Sequence, residues 1–241
     1  MNLILDFGNT RIKVALFKTN EIQSQFVFNS ELDLLNASTL FSQVNYCFIC
    51  SVTQAHVSFI NKFNSQFPIQ LFESSTPLPI KNLYQSALTL GSDRIAASVG
   101  SHCDFSNQNV LTIDAGTCIK YNFVNTHNEY LGGAISPGIA MRLKAMNYFT
   151  AALPLLETDK NYEKLIGQTS AESLLSGAMI GAVCEVDEMI NRYHKIYDNL
   201  QVVITGGDAD YLCKQLKNRF FTNQNSVLQG LNAILNYNLE K

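Results

Sequence analysis

The chain has 241 residues, 46% of them apolar and 15% charged, with a formal net charge of −3. This composition describes a globular protein with a sizeable core, and it lacks the basic excess that marks a nucleic-acid-binding surface. Asp6 interrupts the first apolar run after a few residues and no other stretch approaches the length of a bilayer span, so a cytoplasmic protein without a membrane partner is expected.

In chain order, Leu3-Ile4-Leu5-Asp6-Phe7 runs to a carboxylate, turns through Gly8, Asn9 and Thr10, and resumes as a second strand carrying Lys13. The pattern reads as a β-hairpin with polar groups at its tip. Gly8 permits close approach of a ligand to the backbone, and Asn9 and Thr10 supply short donors. Asp6 ends a buried strand, where a carboxylate is costly unless something positive meets it, such as a nucleotide's magnesium. Alternatively, these residues are ordinary turn chemistry.

A third strand is expected over 21–28, a helix over 31–41 with Ser30 as N-cap, a strand over 46–52, a helix over 55–66 and a strand over 69–72. Pro77 and Pro79 make 76–84 an extended loop, and 91–102 looks helical. Cys47 and Cys50 form the only Cys-x-x-Cys among the six cysteines. Without a second ligand pair they cannot make a structural zinc site; on one strand they point to opposite faces, as buried reduced thiols would.

The opening pattern then returns. Val110 to Tyr121 again gives an apolar run, Asp114, one residue, Gly116, the hydroxyl of Thr117 and a second strand with a lysine. Asp6 aligns with Asp114, Gly8 with Gly116 and, after a one-residue gap, Ile12 with Ile119. A third strand over 129–135, helices near 138–149 and 170–195, a strand over 201–205 and helices over 208–218 and 225–239 follow. The repeat suggests internal duplication into halves 1–108 and 109–241. The expected fold class is α/β: a duplicated ribonuclease-H-like, actin-like ATPase fold. It would have two mixed sheets, flanking helices and a central cleft where the Asp-x-Gly turns meet.

No P-loop, Rossmann fingerprint, Gly-x-Ser-x-Gly nucleophile or His-Glu-x-x-His zinc site occurs. Phosphate binding would therefore use the hairpins and further glycine turns. Gly132-Gly133-Ala134-Ile135-Ser136-Pro137-Gly138 leads into a helix, whose N-terminus favours anions, and Thr205-Gly206-Gly207-Asp208 runs from a strand to a helix start with Asp208 as N-cap. Gly177 and Gly181, unfavourable inside a helix, suggest close packing against another backbone.

This order of turns resembles the acetate-kinase, sugar-kinase, heat-shock and actin superfamily. Within it the chain resembles type III pantothenate kinase through Asp6-Phe7-Gly8-Asn9-Thr10, Gly91-Ser92-Asp93-Arg94, Asp114-Ala115-Gly116-Thr117, the 132–138 turn, Thr150-Ala151-Ala152-Leu153-Pro154 and Thr205-Gly206-Gly207-Asp208. The resemblance implies ATP-dependent phosphorylation of pantothenate, with Asp93 as the proton acceptor. Asp6, Gly8, Asn9, Thr10, Lys13 and Thr117 would hold ATP and its magnesium, and Tyr84, Gly91, Ser92, Asp93, Arg94 and Ser170 would hold pantothenate. Asp114 would bind a monovalent cation, potassium or ammonium, and the protein would be a homodimer with pantothenate near the subunit interface.

Read bare, Asp93 and Arg94 are charges at a helix start, and Lys13 is a solvated strand lysine. Two departures from the family pattern stand out. Ala87 replaces a frequent proline after Tyr84, and Ser170 stands where a threonine is usual, with Thr169 able to take its role or either residue able to cap a helix. The other readings are a different small-molecule kinase of the superfamily and a non-catalytic regulatory homologue.

Overall fold

The computed structural model describes residues 1–8, 10–51 and 56–240; Asn9 and Val52, placed by the sequence in the first turn and the fourth strand, lie outside the described residues. Contacts divide the chain into two compact units. One is Met1–Ser106 with His127–Leu131 and Asn225–Lys241; the other is Asn107–Thr126 with Gly132–Gln224.

The first unit is built on β1 (Asn2–Phe7), β2 (Ile12–Lys18), β3 (Glu21–Phe28), β4 (Tyr46–Ser51) and β5 (Ile69–Leu71), in the order β3-β2-β1-β4-β5. β1 is antiparallel to β2 and parallel to β4, so the sheet is mixed. Leu3, Leu5 and Phe7 pack with Leu34 of α1 (Glu31–Asn36) and with Phe59 and Phe63 of α2 (His56–Phe63). Cys47 lies in that same cluster. Cys50, three residues on, instead meets Ser92 across the other face, so the two buried thiols do point apart.

α3 (Ser92–Asp104) and α8 (Ser226–Leu239) pack closely on each other. Every residue of α3 from Arg94 to His102 is buried. Glycine makes this possible. A Cβ at Gly100 would stand 1.9 Å from the Ser226 carbonyl oxygen, and one at Gly230 would stand 1.8 Å from that of Ala96. Between β5 and α3 the 76–84 loop contains the two-residue strand β6 (Lys81–Asn82), which pairs in parallel with Glu129 and Tyr130. So short a strand has no periodicity to read.

The second unit repeats the sheet order. β7 (Asn109–Ala115), β8 (Cys118–Val124), β9 (Glu129–Pro137), β10 (Leu200–Thr205) and β11 (Phe221–Thr222) lie as β11-β10-β7-β8-β9, with β6 as a sixth strand beside β9; the first five correspond in order to the strands of the first sheet. Leu111, Ile113, Tyr121 and Ile204 form its core with Leu143 of α4 (Ile139–Tyr148), Leu174 of α5 (Ser170–Leu175), Val186 of α6 (Gly181–Ile196) and Leu212 of α7 (Ala209–Gln215).

The long helix expected over 170–195 is interrupted. α5 and α6 are joined by one π-helical turn, Ser176–Ile180. A Cβ at Gly177 or Gly181 would meet nothing within 4 Å, which corrects the expectation that these glycines serve close backbone packing. Gly177 lies within the widened turn and Gly181 directly follows it, whereas close backbone approaches occur at other glycines, Gly100 and Gly230 among them. No helix among the described residues is long and apolar enough to cross a membrane.

Candidate active site

Both Asp-x-Gly segments form hairpins, and their registers correspond. In the first, Asp6 lies opposite Lys13 and Phe7 opposite Ile12; in the second, Asp114 lies opposite Lys120 and Ala115 opposite Ile119. The one-residue gap in the alignment therefore falls inside the turn, Gly8 to Arg11 against Gly116 to Cys118. Each turn is closed by a backbone bond, from Gly8 N–H to the Arg11 carbonyl at 3.1 Å and from Gly116 N–H to the Cys118 carbonyl at 3.0 Å. Each hairpin thus sets a carboxylate and a lysine side by side on one face of the sheet.

Asp6 is buried, whereas Thr10 is exposed at the tip and Lys13 is half-buried. Across the parallel ladder Asp6 faces Cys50, and the Cys50 thiol lies 3.1 Å from the Ser92 hydroxyl at the first residue of α3. The carboxylate end of the hairpin and the start of α3 therefore meet through β4. Asp93 accepts a hydrogen bond through Oδ1 from the Arg94 backbone N–H at 2.9 Å. Gly91 leaves room for that fold-back, since a Cβ there would stand 2.7 Å from Asp93 Oδ1.

Arg94 is 6% exposed, with its guanidinium carbon 5.6 Å from the centre of the Tyr84 ring. Tyr84 packs on Tyr130 at 6.2 Å, and its N–H donates to Asn82 Oδ1 at 3.0 Å. A 3-10 turn over Ala87–Thr89 follows, so Tyr84 is held by Asn82 and Tyr130 without the frequent proline. Tyr84, Gly91, Ser92, Asp93 and Arg94 thus form one group. Cys50 and Tyr130 belong to it too; the sequence marked Cys50 only as a buried thiol and did not mark Tyr130, because neither lies in a recognisable turn.

In the second unit two glycine turns converge on the hairpin at Asp114. Gly138, which starts α4, donates to the Thr117 carbonyl at 3.1 Å, and a Cβ on it would stand 2.1 Å from the Gly116 carbonyl oxygen. Gly206 has φ +99°, and its Cβ would stand 2.3 Å from the Ala115 carbonyl oxygen, to which Asp208 N–H donates at 2.9 Å. Asp208 precedes α7 but makes no side-chain cap, and burial raises its pKa against the opposing charge of Lys160. Thr117 stands exposed at the hairpin tip.

A polar cluster braces this hairpin from behind. Glu185 of α6 accepts from the Tyr121 hydroxyl at 3.0 Å, from Ser136 and from Arg142 of α4. Burial pushes the Glu185 pKa up, but the Ser136, Arg142 and Tyr121 contacts together outweigh it and hold it below the ordinary value. Burial, reinforced by Glu185, raises the pKa of the Tyr121 hydroxyl.

Thr169 and Ser170 also separate. Thr169 caps α5 by accepting from Glu172 N–H at 3.2 Å, and Glu172 accepts from Gln168 N–H at 2.7 Å. The Ser170 side chain is exposed on the first turn.

The family model for type III pantothenate kinase matches residues 2–192. A protein so named from Flavobacterium johnsoniae is 37% identical over 100% of this chain and 99% of its own. Another from Christiangramia forsetii is 39% identical, covering 99% of each. The chain belongs to the type III pantothenate kinase family.

Solved structures support the fold alone. A Baf-family protein of Campylobacter jejuni has a TM-score of 0.61 at 19% identity, covering 99% of this chain and 100% of its own. The activator of 2-hydroxyisocaproyl-CoA dehydratase from Clostridium difficile, solved with bound ADPNP, has a TM-score of 0.53 at 12% identity, covering 99% and 94%.

The two cations expected for a type III pantothenate kinase fit the residues present unequally. Asp6, a buried oxygen donor at a strand end, suits magnesium and its water shell. Asp114 does not suit potassium or ammonium as well. Its Oδ2 accepts from Lys120 Nζ at 2.9 Å, with the two side chains only 16% and 22% exposed. A further cation on that carboxylate would stand near the ammonium, and like charges about 4 Å apart repel by about 4 kcal/mol at an effective dielectric of about 20. A resident monovalent cation at Asp114 therefore does not fit. The sequence held a signal for this: Lys120 follows Asp114 as Lys13 follows Asp6, less the single residue missing from the turn.

Proposed function

We propose that this protein transfers the γ-phosphoryl group of ATP to the hydroxyl of pantothenate, giving 4′-phosphopantothenate, the first step of coenzyme A biosynthesis. Family membership over the length of the chain supports the activity. The observation that carries the site is the convergence of Asp6, Cys50 and Ser92, which brings the first hairpin to the helix start bearing Asp93 and Arg94.

In this reading Arg94 binds the pantothenate carboxylate, its fork well matched to two oxygens, and Tyr84 holds the guanidinium in place. Gly91, Ser92 and Ser170 complete the substrate contacts. Asp93 accepts the hydroxyl proton as the oxygen attacks the γ-phosphorus and the bond to the bridging oxygen of ADP breaks. Asp6, Gly8, Asn9, Thr10 and Lys13 meet the transferred phosphate, and Thr117 meets the remaining phosphates. Magnesium supplies charge neutralisation of the phosphates, and Asp6 is the residue that would hold its water shell.

The halves 1–108 and 109–241 are proposed as the duplicated ancestral units, on the matched sheet orders, with α8 exchanged by contact into the first unit. A homodimer is proposed as well, supported by exposed Tyr148, Phe149, Leu165 and Ile166 in the second unit. A cytoplasmic setting accords with both substrates being soluble metabolites.

The deciding experiment is mass-spectrometric detection of 4′-phosphopantothenate from ATP, magnesium and pantothenate. Absence of product, or turnover that depends on a sugar instead, would overturn the assignment.

A further inference from the structure

We infer that the Lys120 ammonium supplies, within the chain, the positive charge at Asp114 that the family resemblance assigns to a monovalent cation, so that the second hairpin works without potassium or ammonium. The inference rests on the nucleotide-binding reading of that hairpin.

Three observations carry it. Lys120 and Asp114 are directly opposite in the β7–β8 ladder, so the lysine is delivered by strand register rather than by a mobile loop. Their ion pair at 2.9 Å is largely shielded from solvent, which preserves its strength in salt. The backbone around the pair is also fixed: Gly138 packs on the Gly116 carbonyl, and Gly206 and Asp208 on that of Ala115.

A potassium ion and an ammonium group carry the same unit charge, but the lysine side chain is tethered. Its charge is present at every salt concentration, and no ion must be captured before nucleotide binds. Potassium also needs several oxygen ligands, whereas an ammonium needs only acceptors for three N–H groups. Asp114 provides one of these at 2.9 Å. Lys13, opposite Asp6, is the corresponding residue of the first hairpin, so the duplication would have placed one lysine at each phosphate-binding turn.

The test compares ATP binding by titration calorimetry, and turnover where it occurs, in potassium chloride and in tetramethylammonium chloride of equal ionic strength. Tetramethylammonium is too large to enter a potassium site. The wild-type protein is expected to change less than twofold in ATP Kd and in kcat/KM between the salts. Lys120→Met is expected to bind ATP at least tenfold more weakly in tetramethylammonium and to recover with potassium, while Lys120→Arg stays indifferent to the salt.

A tenfold or greater requirement of the wild-type protein for potassium would overturn the proposal without recourse to any variant. Absence of ATP binding in both salts would overturn it as well. Salt-indifferent ATP binding without pantothenate phosphorylation would support it while removing the assigned substrate.

Discussion

The first hairpin turns through Gly8 to Arg11 and leads, by way of Cys50 and Ser92, to the start of α3; the second turns through Gly116 to Cys118 and is enclosed by Gly138, Gly206 and the Glu185 cluster. The same carboxylate-and-lysine pair thus sits in two surroundings. Around the first are groups that suit an acceptor alcohol: a carboxylate, a guanidinium and an aromatic ring. Backbone carbonyls and closely packed glycines surround the second, so its side-chain chemistry centres on the Asp114–Lys120 pair. The matched registers account for the likeness, and the neighbours of each hairpin account for the difference in surroundings.

The sharpest way to separate the two tasks is at Asp93. Asp93→Asn keeps the shape and the bond from Arg94 N–H but cannot take the proton. A positioned base contributes about 10²–10⁴-fold, so kcat is expected to fall by that factor while ATP affinity stays within twofold. Equal losses in kcat and ATP binding would mean that Asp93 belongs to the nucleotide side.

Gly138→Ala attacks the opposite copy. Its Cβ would overlap the Gly116 and Thr117 carbonyls at 2.1 and 2.5 Å, and backbone cannot yield as a side-chain tip can. Overpacking of this kind costs about 1–3 kcal/mol, so the ATP KM is expected to rise roughly tenfold or more with the pantothenate KM little changed. A selective rise in the pantothenate KM would break the comparison.

Gly91→Ala should act more gently, because the atom in its way is Asp93 Oδ1, the end of a side chain. The carboxylate swings aside and the helix survives. Turnover is expected to fall about tenfold, the order of loss for a base moved off line, with the melting temperature unchanged within about a degree. A large loss of stability would show that Gly91 is needed for the backbone rather than for the position of Asp93.

Much of this was legible before the structure was known, and the reason is local. An apolar run, Asp, one residue and Gly specify a strand, its end and its turn within a few positions, so both hairpins and their alignment could be read directly. What lay across the chain could not. The opposition of Asp114 and Lys120 depends on turn length, and the sequence marked the residue only as a lysine on a strand. Gly100 and Gly230 are 130 positions apart, so their shared role in bringing α3 against α8 leaves no local trace, whereas Gly177 and Gly181 invited that role by sitting in a helix. Thr169 and Ser170 differ only in which hydroxyl reaches Glu172 N–H, a matter of one residue's backbone angle.

The smallest expected effect concerns the brace behind the second hairpin. The Glu185 pKa is held below its ordinary value of 4.5, because contacts from Ser136, Arg142 and Tyr121 overcome the cost of burial. A carboxylate with a depressed folded-state pKa stabilises the protein above its unfolded value and loses that contribution as pH falls through the folded value. The Arg142 and Glu185 side chains remain 20% and 29% exposed, so solvent screening reduces the worth of the pair. Glu185→Gln is therefore expected to cost about 1 kcal/mol at neutral pH, and progressively less as the pH falls below 4.5 and through the lower folded value, where the carboxylate of the folded wild-type protein takes up its proton. Thermal unfolding of both proteins at pH 7 and near pH 4 measures the gap. Narrowing at acid pH would make the second hairpin's support acid-sensitive through Glu185; an equal gap at both pH values would mean that the cluster stabilises by shape, with the charge on Glu185 immaterial.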